Sequence, residues 1–135
     1  MRWKIFFVSM MAMICLFFST STSNAANWYY IGTDKYFHTY IDSSNVHYQK
    51  DSNGNENYDL IQYWEKLIYL DEEGYAIKRF VLSLSDRRIY WYDYAVYNND
   101  GTLIFGGNTN GASGHEILPG SLEEKTMQTV LRLVH

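Results

Sequence analysis

The chain has 135 residues, with 11 basic and 15 acidic side chains for a formal charge of −4, and a single cysteine. The acid excess argues against nucleic acid as a partner, because phosphates demand a basic face, and against polybasic adsorption to anionic lipid. One cysteine cannot close a disulfide within the chain, so stability has to come from packing.

The N-terminus reads as an export signal. Arg2 and Lys4 give a positive start, and a 14-residue apolar stretch runs from Ile5 to Phe18, interrupted only by Ser9. Small residues follow, with Ser23 and Ala25 at the −3 and −1 positions of a cleavage site. That order is the secretory pattern, and the apolar run falls short of the roughly 18 to 20 residues of a permanent membrane helix. Residues 1–25 are therefore expected to be a cleaved signal peptide ending at Ala25, with residues 26–135 as one exported domain. A lipoprotein peptidase requires a small residue ahead of the modified cysteine; Ile14 stands before Cys15, so no lipid anchor is expected. The remaining 110 residues hold nine basic and fifteen acidic side chains, no cysteine and no second run of membrane length. Thiolate zinc sites and thiol catalysis are thereby excluded from that domain. All 13 tyrosines lie in it, with Trp28, Trp64 and Trp91, and each packed ring buries roughly 150 to 250 Å².

In chain order, Asn27 to Thr33 is aromatic and β-branched and predicts a first strand, and Phe37 to Asp42 a second. A turn over Asp42 to Asn45 leads to a short strand, Val46 to Gln49, and a polar loop follows, centred on Asn53-Gly54. Tyr58 to Leu70 fits helix or strand; its tyrosines, tryptophan and isoleucines weigh toward a strand. After the Asp71 to Gly74 turn, Ile77 to Ser85 alternates as a sheet strand with one core face. Arg88 to Tyr97 carries Arg88, Tyr90, Tyr92, Tyr94 and Val96 on one face and Ile89, Trp91, Asp93, Ala95 and Tyr97 on the other. Asn98 to Gly101 closes a hairpin onto Thr102 to Phe105, and residues 106–114, with four glycines, predict a flexible loop. Ser121 and Glu124 form a capping box ahead of a helix with apolar Leu122, Met127, Val130, Leu131 and Val134. The expected fold is α+β: a single antiparallel sheet of about six strands with a C-terminal helix packed on one face.

Few residues suggest chemistry. The histidines, His38, His47, His115 and His135, show no metal-ligand spacing, and no Gly-x-Ser-x-Gly elbow is present. Ser113, His115 and Glu116 could form a nucleophile–base group and define a rival reading as a small exported hydrolase; a glycine-rich surface loop accounts for them more simply. No catalytic residue, cofactor or metal is expected. The constellation that stands out is Arg87, Arg88, Tyr90 and Tyr92, because tyrosine and arginine are enriched at recognition surfaces. The competing reading packs those tyrosines beneath the helix.

Taken together, the order of features resembles the surface-adhesin protein E family of exported bacterial proteins. The resemblance rests on Trp28-Tyr29-Tyr30-Ile31, on Tyr40-Ile41-Asp42 with Asn45-Val46, and on Tyr63-Trp64-Glu65-Lys66. It continues through Asp86-Arg87-Arg88 and Tyr97 to Gly101, and is most specific at Ile117-Leu118-Pro119-Gly120-Ser121 with Glu124. It implies an antiparallel sheet with a C-terminal helix, and binding outside the cytoplasm without catalysis. Many members carry two cysteines that would pair; here those regions read Ser83-Leu84-Ser85 and Val134-His135. The expectation is an exported, non-catalytic protein-binding module, periplasmic, secreted or at the cell surface. Its partner would be a host-matrix or bacterial-envelope protein, or a second copy of the chain. The remaining alternative is an envelope scaffold component without a soluble ligand.

Overall fold

The computed structural model describes residues 25–135, apart from the side chains at positions 112 and 113. The expected signal peptide, except for Ala25, lies outside the described residues. Seven strands and one helix follow in order: β1 (Trp28–Thr33), β2 (Phe37–Asp42), β3 (His47–Lys50), β4 (Glu56–Tyr69), β5 (Tyr75–Ser83), β6 (Arg88–Tyr97), β7 (Leu103–Glu116) and α1 (Leu122–Leu133). All strands join one antiparallel sheet in the order β1-β2-β4-β5-β6-β7, with β3 also paired to β4. The fold is thus sheet-dominated α+β, with one strand more than the six or so expected.

The short strand expected at Val46 to Gln49 appears as β3 (His47–Lys50) and shares one edge of β4 with β2. β4 is 14 residues long, about 45 Å of extended chain, and no single partner runs along its whole edge. β2 pairs with Glu65 to Tyr69, and β3 pairs with residues between Glu56 and Gln62. The turn between β2 and β3 is held by Asp42, whose Oδ1 accepts from Asn27 N (3.0 Å), Ser44 N (3.1 Å) and Ser44 Oγ (2.6 Å).

Helix α1 starts where the capping signal predicts. Ser121 Oγ accepts from Glu124 N at 3.2 Å, while the returning Glu124 carboxylate accepts from Gly120 N at 2.9 Å, one residue earlier than in the standard box. Its buried residues are Thr126, Thr129 and Val130, and Leu131, expected on the apolar stripe, is exposed. The helix packs on one sheet face, over a core of Ile31, Ile41, Val46, Ile61, Tyr63, Leu82, Ile89 and Ile117 that Val130 completes. Gly32 lets it approach closely, for a side chain there would meet Leu122 Cδ1 at 2.8 Å. A 12-residue helix is about 18 Å long and 10 Å across, and six strands abreast span about 24 Å. It therefore covers only part of one face, and among the described residues no helix or second sheet lies on the other.

Two expectations about β6 and β7 need correction. The glycine-rich stretch expected as a loop is part of β7, hydrogen-bonded to β6. Its glycines sit under tyrosines of the neighbouring strand: a Cβ on Gly107, Gly111 or Gly114 would stand 2.8 Å from the Tyr94, Tyr92 or Tyr90 side chain respectively. The rings supply the cover that glycine lacks, which offsets its poor strand propensity. Only residues 109–112 leave the ladder, between the Asp93↔Asn108 and Trp91↔Ser113 pairs. The second correction concerns alternation. β5 advances two residues from Lys78 to Phe80 while its partners on β6 run from Tyr94 to Trp91. That bulge turns Tyr94 and Val96 to the helix side, whereas Arg88, Tyr90 and Tyr92 stay on the uncovered side.

Candidate functional site

The uncovered face is built by the alternating half of each strand. From β4 come Gln62, Trp64, Lys66 and Ile68; their partners on β5 are Val81, Arg79, Ile77 and Tyr75. Tyr40 of β2 lies beside Lys66, and Tyr30 of β1 beside Tyr40. β6 adds Tyr90, Tyr92, Asp93 and Tyr97. The result is a concentration of aromatic rings interleaved with cations, most of them half-buried by one another.

The rings and cations hold each other in place. Lys66 Nζ stands 4.5 Å from the Tyr75 ring centre and 5.9 Å from that of Trp28. Tyr75 stacks on Tyr97 at 5.1 Å, and Tyr30 meets Tyr40 at 5.4 Å. Arg79 is the hub at the β6 end. Its Nε donates to Asp93 Oδ2 at 2.5 Å, its Nη1 donates to Gln62 Oε1 at 3.2 Å, and its guanidinium lies 5.0 Å over the Tyr92 ring. Asn108 Nδ2 donates to the other Asp93 oxygen. The Asn108 and Arg79 hydrogen bonds hold the Asp93 carboxyl below the usual carboxylate range. The bulge creates this cluster, because it sets Tyr92 and Asp93 together opposite the single residue Arg79.

Of the residues singled out from the sequence, Arg88, Tyr90 and Tyr92 fall on this face, which settles their side of the sheet against packing beneath α1. Tyr90 lies over Gly114 and donates from its hydroxyl to Asp86 at 3.3 Å. Arg87 is exposed in the turn before β6, at φ 52°, with its carbonyl accepting from Ile117 N at 3.0 Å. That turn is clamped from β4: Asp59 accepts from Ser85 N (2.7 Å) and Ser85 Oγ (2.8 Å), and these bonds lower its carboxyl's pKa. Sequence reasoning missed Trp64, Lys66, Tyr75 and Arg79. Their alternation was visible, but the uncovered side of the strands was not. His115 and Glu116 point to opposite faces, since His115 pairs with Ile89 on the helix side and Glu116 with Arg88 on the open side.

A fold and surface of this kind define a sheet-based domain with one open aromatic face. The chain matches no family model, no curated protein and no solved structure. Among the described residues no helix is long and apolar enough to cross a membrane.

Proposed function

We propose that the protein is an exported, non-catalytic protein-binding module whose contact surface is the open sheet face. The observation that carries this reading is the pairing of a helix-covered face with a second, uncovered one rich in tryptophan, tyrosine, lysine and arginine. Aromatic residues and arginine dominate the energetics of recognition surfaces, and their mutual stacking here lowers the entropy lost on contact. The resemblance to surface-adhesin protein E, and the export signal read in residues 1–25, point the same way. The partner would be a host-matrix or envelope protein met outside the inner membrane, reached by an unlipidated chain.

The test is capture of immobilised matrix proteins and of detergent-solubilised native envelope by purified protein, compared across two variants. A Trp64→Ala, Arg88→Ala double substitution on the open face is expected to weaken capture by about tenfold or more while circular dichroism shows the sheet still folded at the assay temperature. The same change at Leu131 and Arg132 on the outer side of α1 should leave capture intact. Equal capture by all three proteins would overturn the reading.

A further inference from the structure

Beneath the N-terminal part of α1, on the helix side of the sheet, lies a cavity of about 240 Å³. Phe37, Leu67, Phe80 and Leu122 form apolar walls, and Asp34, His115 and Glu123 also line it. Glu65 and Lys78 bring polar groups to the same space from two adjacent strands, and Trp91 lines it from a third. Glu65 is only 8% exposed, and among the described residues its carboxyl receives no hydrogen bond. Lys78 is its direct cross-strand partner, yet among the described residues the only ion pair is Arg79–Asp93. Lys78 instead stands 4.2 Å over the Trp91 ring. Among the described residues the Trp91 indole N–H is buried without a hydrogen-bond partner, and so is the hydroxyl of Tyr63, which neighbours Glu65 on the same strand face. Each such unsatisfied group costs about 1 to 3 kcal/mol. An acid and an ammonium, not paired with each other, therefore line one small cavity.

We propose that this cavity binds a small zwitterion of the amino-acid type, its ammonium held by Glu65 and its carboxylate by Lys78. A simple anion would meet the carboxylates of Asp34 and Glu123, and a simple cation would meet Lys78. A zwitterion answers both sides, and its apolar side chain fits between Phe37, Leu67 and Phe80. The volume lies below the roughly 300 to 1,000 Å³ of drug-sized pockets, which confines the ligand to a short body. Burial pushes the Glu65 carboxyl up from the ordinary 4.5 to about 8, against the lowering influence of Lys78. Before an ammonium arrives, Glu65 therefore keeps its proton at neutral pH. Arrival of an ammonium displaces that proton to solvent, leaving a carboxylate–ammonium pair.

Isothermal titration calorimetry of the purified protein at pH 7 tests this with L-alanine, L-valine and L-leucine. Isoamylamine and 4-methylpentanoate serve as single-charge analogues of leucine. At least one amino acid is expected to bind saturably with Kd between about 10 μM and 1 mM, and each single-charge analogue about tenfold or more weaker. The heat should change between buffers of different ionisation enthalpy, reporting proton release. Glu65→Gln and Lys78→Met should each weaken binding by about tenfold or more. No saturable binding by any of the three amino acids up to about 10 mM overturns the proposal. Equal binding by either analogue, or by Glu65→Gln, also overturns it. Should a variant unfold, the analogue comparison on the unmodified protein decides.

Discussion

Replacing Glu65 by glutamine removes one titrating group from the interior while keeping its size and hydrogen-bonding capacity. Glu65 lies opposite Lys78 beneath α1 and is 8% exposed; burial raises its pKa from the ordinary 4.5 to about 8, with Lys78 opposing the rise and Glu123 reinforcing it. A raised pKa means that the folded chain holds the proton more tightly than the unfolded chain. Its stabilising contribution is full below the unfolded value and falls as pH climbs, until the folded group ionises near 8. Each pH unit in that window costs about 1.4 kcal/mol, so the whole span costs the protein about 4 to 5 kcal/mol, a large share of the 5 to 15 kcal/mol typical of a domain. The pKa of Lys78 is lowered by the same burial, and its linkage falls on the alkaline side, where stability recovers toward the ordinary value of 10.5. Urea unfolding of the unmodified protein and of Glu65→Gln, measured from pH 5 to pH 8, isolates the carboxyl. The two proteins should be close in stability at pH 5, and the variant should be the more stable by several kcal/mol at pH 8. Curves that stay parallel across the range would refute a protonated, buried Glu65.

Other substitutions test the frame around the two faces. Gly74 sits at φ +110° in the β4–β5 turn, where a Cβ would run into the Tyr97 carbonyl oxygen; Gly74→Ala should cost about 3 kcal/mol in chemical unfolding. Ser121→Ala removes the hydroxyl that accepts from Glu124 N and should cost about 1 kcal/mol, seen as a lower urea midpoint with an unchanged slope. Asp93→Ala breaks the contacts to Arg79 and Asn108 and should cost about 1 kcal/mol at neutral pH, limited by the partial exposure of the pair. Because the Asp93 pKa is lowered from 3.8, this difference should persist down to that value. It should vanish as pH falls through the folded pKa, which an acid titration of both proteins would reveal.

The strands and helix were legible wherever side-chain period and local chemistry coincide. β4 was decided by its tyrosines, tryptophan and isoleucines where its period alone also fitted a helix, and α1 announces itself through Ser121 and Glu124. The β7 strand was hidden because Gly106, Gly107, Gly111 and Gly114 score as loop residues on their own. For Gly107, Gly111 and Gly114 the support comes from the Tyr94, Tyr92 and Tyr90 rings of the neighbouring strand, which a reading along the chain does not register. The β6 bulge was hidden for a related reason. Alternation continues through Tyr90, Tyr92 and Tyr94 in the sequence, and only pairing to Lys78 and Phe80 reveals the offset. Of the recognition face, the β6 portion was visible and the β4 and β5 portions were not, because a period of two identifies faces without saying which one a helix will cover. Glu65 gave no local signal at all: the groups around it come from β2, β5, β6 and α1.

Tyrosine and tryptophan footprinting by hydroxyl radicals, with and without native envelope or matrix protein, addresses the central claim most directly. If the open sheet face is the contact surface, Tyr40, Trp64, Tyr75, Tyr92 and Tyr97 become protected together, while Tyr94 and Phe105 on the helix side keep their reactivity. Protection concentrated on the helix side, or none on the open face in a captured complex, would contradict it.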